Sequence, residues 1–272
     1  MRAVSTVLDV AMFLLLVSAA VGTLVLAEPP ADAETSADET ADVLASSTLS
    51  VEYNLRGETR RAHGTLGVVL ARATVANASL DGEDISGTDE SFREQVRAET
   101  RERLVAPNRT QIVARWRPYR GSPLGGSLTV GPTPPPGRDV HSATLTVPAP
   151  VTESREAATA ASSDGYDAVA DPVAEAVADG LVPDNRVDAS AFRESPTAID
   201  TSHRYRVLAS GTGTSVTGLL SSGSVGAAHA RITAGLRRTF AADMRTRFDT
   251  PAAAAETVAT GRVRITVRRW GA

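Results

Sequence analysis

The chain has 272 residues with 32 acidic and 28 basic side chains, and it contains no cysteine. Without cysteine, a disulfide framework, a thiolate nucleophile and a cysteine-based zinc or iron–sulfur site are all excluded. Every basic side chain is an arginine, which also excludes a lysine-dependent phosphate loop and Schiff-base chemistry on lysine. The mild net charge of −4 gives no indication of nucleic-acid binding.

The first predicted element is an apolar helix from Val7 to Ala27, which we expect to cross a membrane once. At about 1.5 Å per residue it would extend about 30 Å, the thickness of a hydrocarbon core. Arg2 precedes this run and acids follow it, so the N-terminus is expected in the cytoplasm and the body outside. A cleaved signal peptide is the alternative, because Val25-Leu26-Ala27 fits a cleavage site.

Asp9 is the one charged residue within the apolar run. A carboxylate in hydrocarbon is costly to bury, and it is a functional candidate for that reason. The alternative is a tolerated charge that reaches the headgroup level, since Asp9 lies near the cytoplasmic end of the run.

The segment Arg2-Ala3-Val4-Ser5-Thr6-Val7-Leu8-Asp9-Val10, which leads into the apolar helix, resembles the start of archaeal type IV pilin-like proteins and of TadE-like pseudopilins. The resemblance covers about the first 27 residues. It implies helices packed side by side in a bundle, with other membrane or pilus-assembly subunits as partners. In such a bundle, Asp9 would pair with a neighbour's amine and mark the register between subunits.

Residues 28–47 hold six acids and no base, a composition that predicts a solvated tether or a frayed helical extension. Beyond it, hydrophobic periodicity predicts both strands and helices. The predicted strands are Thr48 to Leu55, Thr110 to Pro118, two strands within Leu128 to Val147 around the loop 132–137, His203 to Ala209, and Arg262 to Trp270. The predicted helices are His63 to Ala78, Ser91 to Val105, Glu153 to Ala161, Val169 to Ala178, and Val225 to Phe248. Residues 211–226 are expected to form a Gly/Ser/Thr loop.

The last strand alternates apolar Val263, Ile265 and Val267 with basic residues, which predicts a half-buried strand with a basic outer face. An acidic partner is one interpretation of this face, and a solvated strand surface is the other. The arginines assigned to the face are Arg262, Arg264 and Arg268, together with Arg245 and Arg247 from the preceding helix.

Other candidate sites are few. The four histidines have no metal-ligand spacing, so neither a metal nor a cofactor is expected. Asn77-Ala78-Ser79 and Asn108-Arg109-Thr110 match the glycosylation triplet, which makes Asn77 and Asn108 candidate acceptors. No serine lies in a nucleophile-elbow motif, and a hydrolase is therefore only an alternative to a non-enzymatic role.

Helices and strands alternate without a βαβ rhythm, which predicts an α+β fold: a single transmembrane helix followed by a mixed helix and antiparallel-strand domain outside the cytoplasm. The expected parts are the anchor 1–27, the tether 28–47 and subdomains 48–149 and 150–272, which a single domain would also accommodate. We expect a structural or assembly protein of the cell membrane, pilin-like or accessory to a type IV pilus or secretion system. An anchored surface-binding module, for instance one that holds a glycan, is the alternative.

Overall fold

The computed structural model describes residues 36–55, 57–85, 90–105, 109–182 and 196–271, with the side chains of residues 196–200 excepted. The expected membrane helix, Arg2, Asp9 and Asn108 therefore lie outside the described residues. Within the described part, no helix has the length and apolar character needed to cross a membrane. Residues 37–272 belong to one compact unit.

The described unit combines helices with two antiparallel sheets, which confirms the α+β class. The strands are β1 (Thr48–Leu55), β2 (Glu58–Thr65), β3 (Ala78–Leu80), β4 (Glu83–Asp84), β5 (Thr110–Trp116), β6 (Leu124–Val130), β7 (Val140–Pro148) and β8 (Arg262–Trp270). The α-helices are α1 (Ala37–Ser46), α2 (Leu66–Ala76), α3 (Glu90–Leu104), α4 (Arg155–Ala160), α5 (Tyr166–Leu181), α6 (Pro196–Gly211), α7 (Thr217–Ser221), α8 (Val225–Arg247) and α9 (Pro251–Glu256). A short 3₁₀ helix, Ser162–Asp164, lies between α4 and α5.

Six strands form the main sheet in the order β4-β3-β6-β5-β8-β7, and β1 pairs with β2 in a separate hairpin. The C-terminal strand β8 lies between β5 and β7, so residues from both sides of the expected boundary at residue 149 share one sheet. This arrangement corresponds to the single-domain alternative.

One face of the main sheet is apolar and is covered by α1, α2 and α3, and the hairpin packs against these helices. Ile112, Ala114 and Trp116 of β5 point to this face and are fully buried. Helix α2 packs so closely that a Cβ on Gly126 of β6 would lie 2.1 Å from the Thr74 carbonyl oxygen. Glycine at that position is therefore a requirement of the contact between helix and sheet.

The helices from α4 to α9 pack at the end of the sheet where β5 leads into β6. Tyr119 in that loop contacts Phe240 of α8 edge to face, with ring centroids 5.5 Å apart. The Trp116 indole donates a hydrogen bond of 2.8 Å to the Thr260 carbonyl oxygen, just before β8. The helix predicted over Val225 to Phe248 is confirmed as α8, and its Ile232, Leu236, Phe240 and Met244 recur at every fourth position and are all fully buried.

The strand predicted over His203 to Ala209 is wrong, because these residues lie within the helix α6. Alternation of Tyr205, Val207 and Ala209 suggested a strand, yet Leu208 between them is also fully buried. All four are buried because α6 packs within the helical region, where the Tyr205 hydroxyl donates to the Val182 carbonyl oxygen at 3.1 Å.

Three other segments have a structure that differs in part from the prediction. Residues 63–65 belong to β2, and α2 begins only at Leu66, where the Thr65 hydroxyl accepts a hydrogen bond from the Val68 amide and caps the helix. The loop expected over residues 211–226 includes the short helix α7. Within the expected tether, residues 37–46 form α1, because Ala37, Thr40 and Leu44 recur at helical spacing and are buried.

Candidate arginine site

Across the four strands β6, β5, β8 and β7, the polar face of the main sheet carries arginines and no acids, whereas the edge strand β4 places Asp84 on that face. The sequences of β5, β6, β7 and β8 contain no Asp or Glu. Strand register places Ser127, Arg115, Arg264 and Thr146 side by side in one row across the four strands. Because side chains alternate between faces, this row lies opposite the apolar, helix-covered face.

Arg115 and Arg264 are directly opposed within that row, and both are exposed. Side chains opposed in an antiparallel pair have Cβ atoms about 4.5–5.5 Å apart, and like charges at such a position destabilise the pair. Neither arginine forms an ion pair with any carboxylate of the described residues. The sheet thus holds two neighbouring positive charges that no carboxylate of the described residues pairs with directly.

The β5–β6 loop, α4 and the segment that joins α9 to β8 lie beside this row. Together with the sheet, these segments enclose a cleft of about 550 Å³. We call this the arginine cleft; six arginines line it, namely Arg115, Arg117, Arg120, Arg155, Arg262 and Arg264. The one acid among its lining residues is Glu256.

Within the part of the chain that the structure describes, most of these guanidinium groups have weak partners or none. Arg117 donates to the Ser122 carbonyl oxygen at 3.0 Å, and Arg120 lies 5.5 Å from the centre of the Phe248 ring. The Nε of Arg155 is buried without a hydrogen-bond partner among the described residues. Among the described residues, Arg262 is the one cleft arginine with a carboxylate partner, since its Nε lies 2.8 Å from Glu153.

An adjoining groove of about 640 Å³ shares Arg115 and Arg117 with the cleft and adds Arg247 together with three acids, Asp81, Asp84 and Asp243. Arg247 is neutralised there by Asp243 at 2.8 Å, and this hydrogen bond raises the pKa of Arg247. Gly121 has a positive φ of 81°, and a Cβ there would lie 2.8 Å from the Arg247 side chain. Glycine therefore permits both the turn and the approach of Arg247.

Tyr119 lines the arginine cleft and is almost completely buried. Burial raises the pKa of its hydroxyl, and the nearby Asp243 carboxylate raises it further. Among the described residues, no hydrogen bond of ordinary geometry satisfies the hydroxyl, although Ser122 and Asp243 lie close enough to influence its pKa. Tyr119 therefore remains a neutral side chain that supports the loop bearing Arg117 and Arg120.

The arginines expected to form one partner face lie in three places. Arg262 and Arg264 line the cleft, and Arg268 lies further along the same face of β8, opposite Gln111 and Ser142. Arg247 lines the adjoining groove, whereas Arg245 pairs with Asp167 of α5. Sequence reasoning missed Arg115, Arg117, Arg120 and Arg155, although alternation along β5 was a signal for Arg115.

Two other predictions bear on the described residues. The Asn77 amide nitrogen, which a glycan would occupy, donates to the Ser127 carbonyl oxygen at 2.6 Å, and its Oδ1 accepts from Arg93 at 2.7 Å. Within the described part of the chain, no group of three or more His, Cys, Asp or Glu side chains is placed to hold a metal ion. The arginine cleft is consequently the arrangement with the clearest chemistry, because arginine guanidinium groups bind carboxylates and phosphates through paired hydrogen bonds.

Comparison with known families matches residues 8–270 to the model described as Family of unknown function (DUF7284). No curated protein and no solved structure matches the chain.

Proposed function

We propose, on the premise that the chain belongs to this family of unknown function, that it is a membrane-anchored structural or assembly protein whose body lies outside the cytoplasm. In this role it is pilin-like, or accessory to a type IV pilus or secretion system. Val7 to Ala27 provides the anchor, and the arginine cleft provides a surface for an acidic partner.

The anchor rests on sequence. The apolar run has the length of a bilayer core, and the family match begins at residue 8, within the run. The run is thus part of what the family shares with this chain. The resemblance of residues 2–10 to pilin-like proteins gives the anchor a second task, the packing of neighbouring helices through Asp9.

The arginine cleft is the observation that carries the partner-binding role. Arg115 and Arg264 are opposed without an acid, an arrangement that lowers the stability of the isolated sheet. A carboxylate-bearing partner would remove this repulsion and would accept paired hydrogen bonds from the guanidinium groups. The positive charge is therefore better suited to a contact with another molecule than to the stability of the fold.

An anchored binding module for an acidic glycan is the second candidate. The volume of the cleft, about 550 Å³, favours it, because small-ligand sites fall within about 300–1,000 Å³. An assembly subunit and a glycan-binding module differ in what remains bound after purification, and this difference sets the experiment.

To test the proposal, the full chain is isolated from its native membranes after brief crosslinking, and an Asp9→Ala variant is isolated in the same way. The parent chain is expected to carry other assembly subunits, such as a polytopic platform protein and proteins that bind it. Asp9→Ala should insert at least as well, because a costly charge is removed, yet it should lose these subunits.

A parent chain that carries a polysaccharide and no other membrane subunit would contradict the assembly role and favour the binding module. If Asp9→Ala carries the same subunits as the parent, Asp9 is a tolerated interfacial charge and has no part in assembly. Asp9→Asn, which removes the charge at nearly constant shape, separates a charge effect from a packing effect.

A further inference from the structure

We propose that the occupant of the arginine cleft is the acidic outer surface of helix α1 from a second copy of this chain. The inference rests on the proposed assembly role and deepens it by naming the partner and the two surfaces in contact.

The acidic surface of α1 is produced by helical spacing. Ala37, Thr40 and Leu44 face the body and are buried, which leaves Asp38, Glu39 and Asp42 exposed on the other side. The helix contains no basic residue. In the sequence, Glu28, Asp32 and Glu34 precede it, so the whole stretch 28–47 is acidic without a compensating base.

A chain cannot place α1 in its own cleft. Helix α1 packs against α2 on the apolar face of the sheet. The contact is so close that a Cβ added to Gly67 of α2 would lie 3.0 Å from the Leu44 carbonyl oxygen. Arg269, at the end of β8, approaches the Thr40 hydroxyl at 3.5 Å. The arginine cleft opens on the opposite face of the same sheet, so contact between the two surfaces requires two molecules.

The two surfaces differ, which makes the contact heterologous. Each copy offers one acidic helix and one basic cleft, so a copy that receives an α1 in its cleft still presents its own α1 to the next copy. Head-to-tail contacts of this kind form either a ring or an open filament. Exposed ion pairs are individually weak and are screened by salt, so the contact depends on the high local concentration of chains held in one membrane.

Cysteine crosslinking tests this contact without interference, because the chain has no cysteine of its own. One full-length copy carries Ala45→Cys, an exposed position on α1 that leaves every acid in place. A second full-length copy, with a different tag, carries Thr146→Cys on the cleft wall. Both are produced in the same membranes and treated with a mild oxidant, and a disulfide-linked heterodimer is the expected product.

In the position control, the second copy carries Thr59→Cys, exposed on the β1–β2 hairpin, in place of Thr146→Cys. This control should yield little heterodimer. Arg115→Glu combined with Arg264→Glu in the Thr146→Cys copy should lower the yield about tenfold, since attraction becomes repulsion. Asp38→Arg combined with Asp42→Arg in the Ala45→Cys copy should restore the yield by exchanging the charges.

The inference would be overturned if Thr146→Cys and Thr59→Cys gave equal yields, or if neither set of charge substitutions changed the yield. Proximity alone would then explain the product. An acidic polysaccharide retained by the cleft, with no heterodimer, would also overturn it. In either case the assembly role is judged separately, by whether the parent chain still carries other assembly subunits after isolation.

Discussion

At the scale of single residues, the opposed pair Arg115 and Arg264 is the feature that most needs a function. A sheet face stabilises itself by placing opposite charges or β-branched residues across from each other. This face instead places two arginines across from each other, beside Ser127 and Thr146. Sites that bind a partner often retain such destabilising arrangements, because binding and stability favour different residues.

Arg264→Thr is expected to raise the free energy of unfolding by about 0.2–1 kcal/mol, because it removes like-charge repulsion and introduces a residue that favours strands. The same substitution should lower the heterodimer yield in the crosslinking experiment. Denaturant unfolding of the full chain in detergent measures the first effect.

Arg268→Thr is the matched control for this substitution. It removes an arginine from the same face of the same strand, but Arg268 is opposite Gln111 and Ser142, which are uncharged. We expect a smaller gain in stability from Arg268→Thr, because it introduces the same strand-favouring residue but removes no like-charge repulsion. If Arg264→Thr lowers stability, or if Arg268→Thr raises it equally, the repulsion between Arg115 and Arg264 is not the cause.

Part of the cleft was accessible from the sequence. The alternation in the last strand correctly assigned Val263, Ile265 and Val267 to the buried face, and therefore Arg262 and Arg264 to the other face. The register between β5 and β8 joins residues about 150 positions apart along the chain, and hydrophobic periodicity carries no information on such pairing. Arg155 was missed for a similar reason, since only the tertiary packing of α4 places it at the cleft.

At the scale of elements, long periodic segments were predictable and short or densely buried ones were not. Four residues of α8, from Ile232 to Met244, recur at every fourth position, and that period identified the helix. Helix α6 was mistaken for a strand, because Tyr205, Val207 and Ala209 alternate, although the buried residues Tyr205, Leu208 and Ala209 also fit helical spacing. Helix α1 was expected only as one of two alternatives, because its three buried residues are hidden in an acidic composition.

The element that the account depends on most is the apolar run Val7 to Ala27. The full-length protein is expected to remain in the membrane fraction after an alkaline carbonate wash, because a spanning helix resists such extraction. Fractionation followed by N-terminal sequencing measures this. A mature N-terminus at Glu28, with the protein free in the medium, would instead indicate a cleaved signal.

At the scale of the whole molecule, the net charge of −4 conceals a separation of charge. Acids are concentrated in the stretch that ends in α1, and arginines are concentrated in a cleft on the opposite face of the sheet. Such a separation suits contacts between copies that all have the same orientation. A membrane anchor imposes that common orientation, and the central claim of the account is therefore the topology of the anchored chain.

The most direct test of that claim is protease digestion of intact cells that produce the full-length chain with a tag at each end. We expect the C-terminal tag and residues 48–272 to be digested while the N-terminal tag survives, because Arg2 lies before the apolar run and the acids lie after it. A cytoplasmic protein that stays intact in the same sample shows that the cells did not lyse. Complete protection of residues 48–272, with digestion only after the cells are opened, would contradict the account.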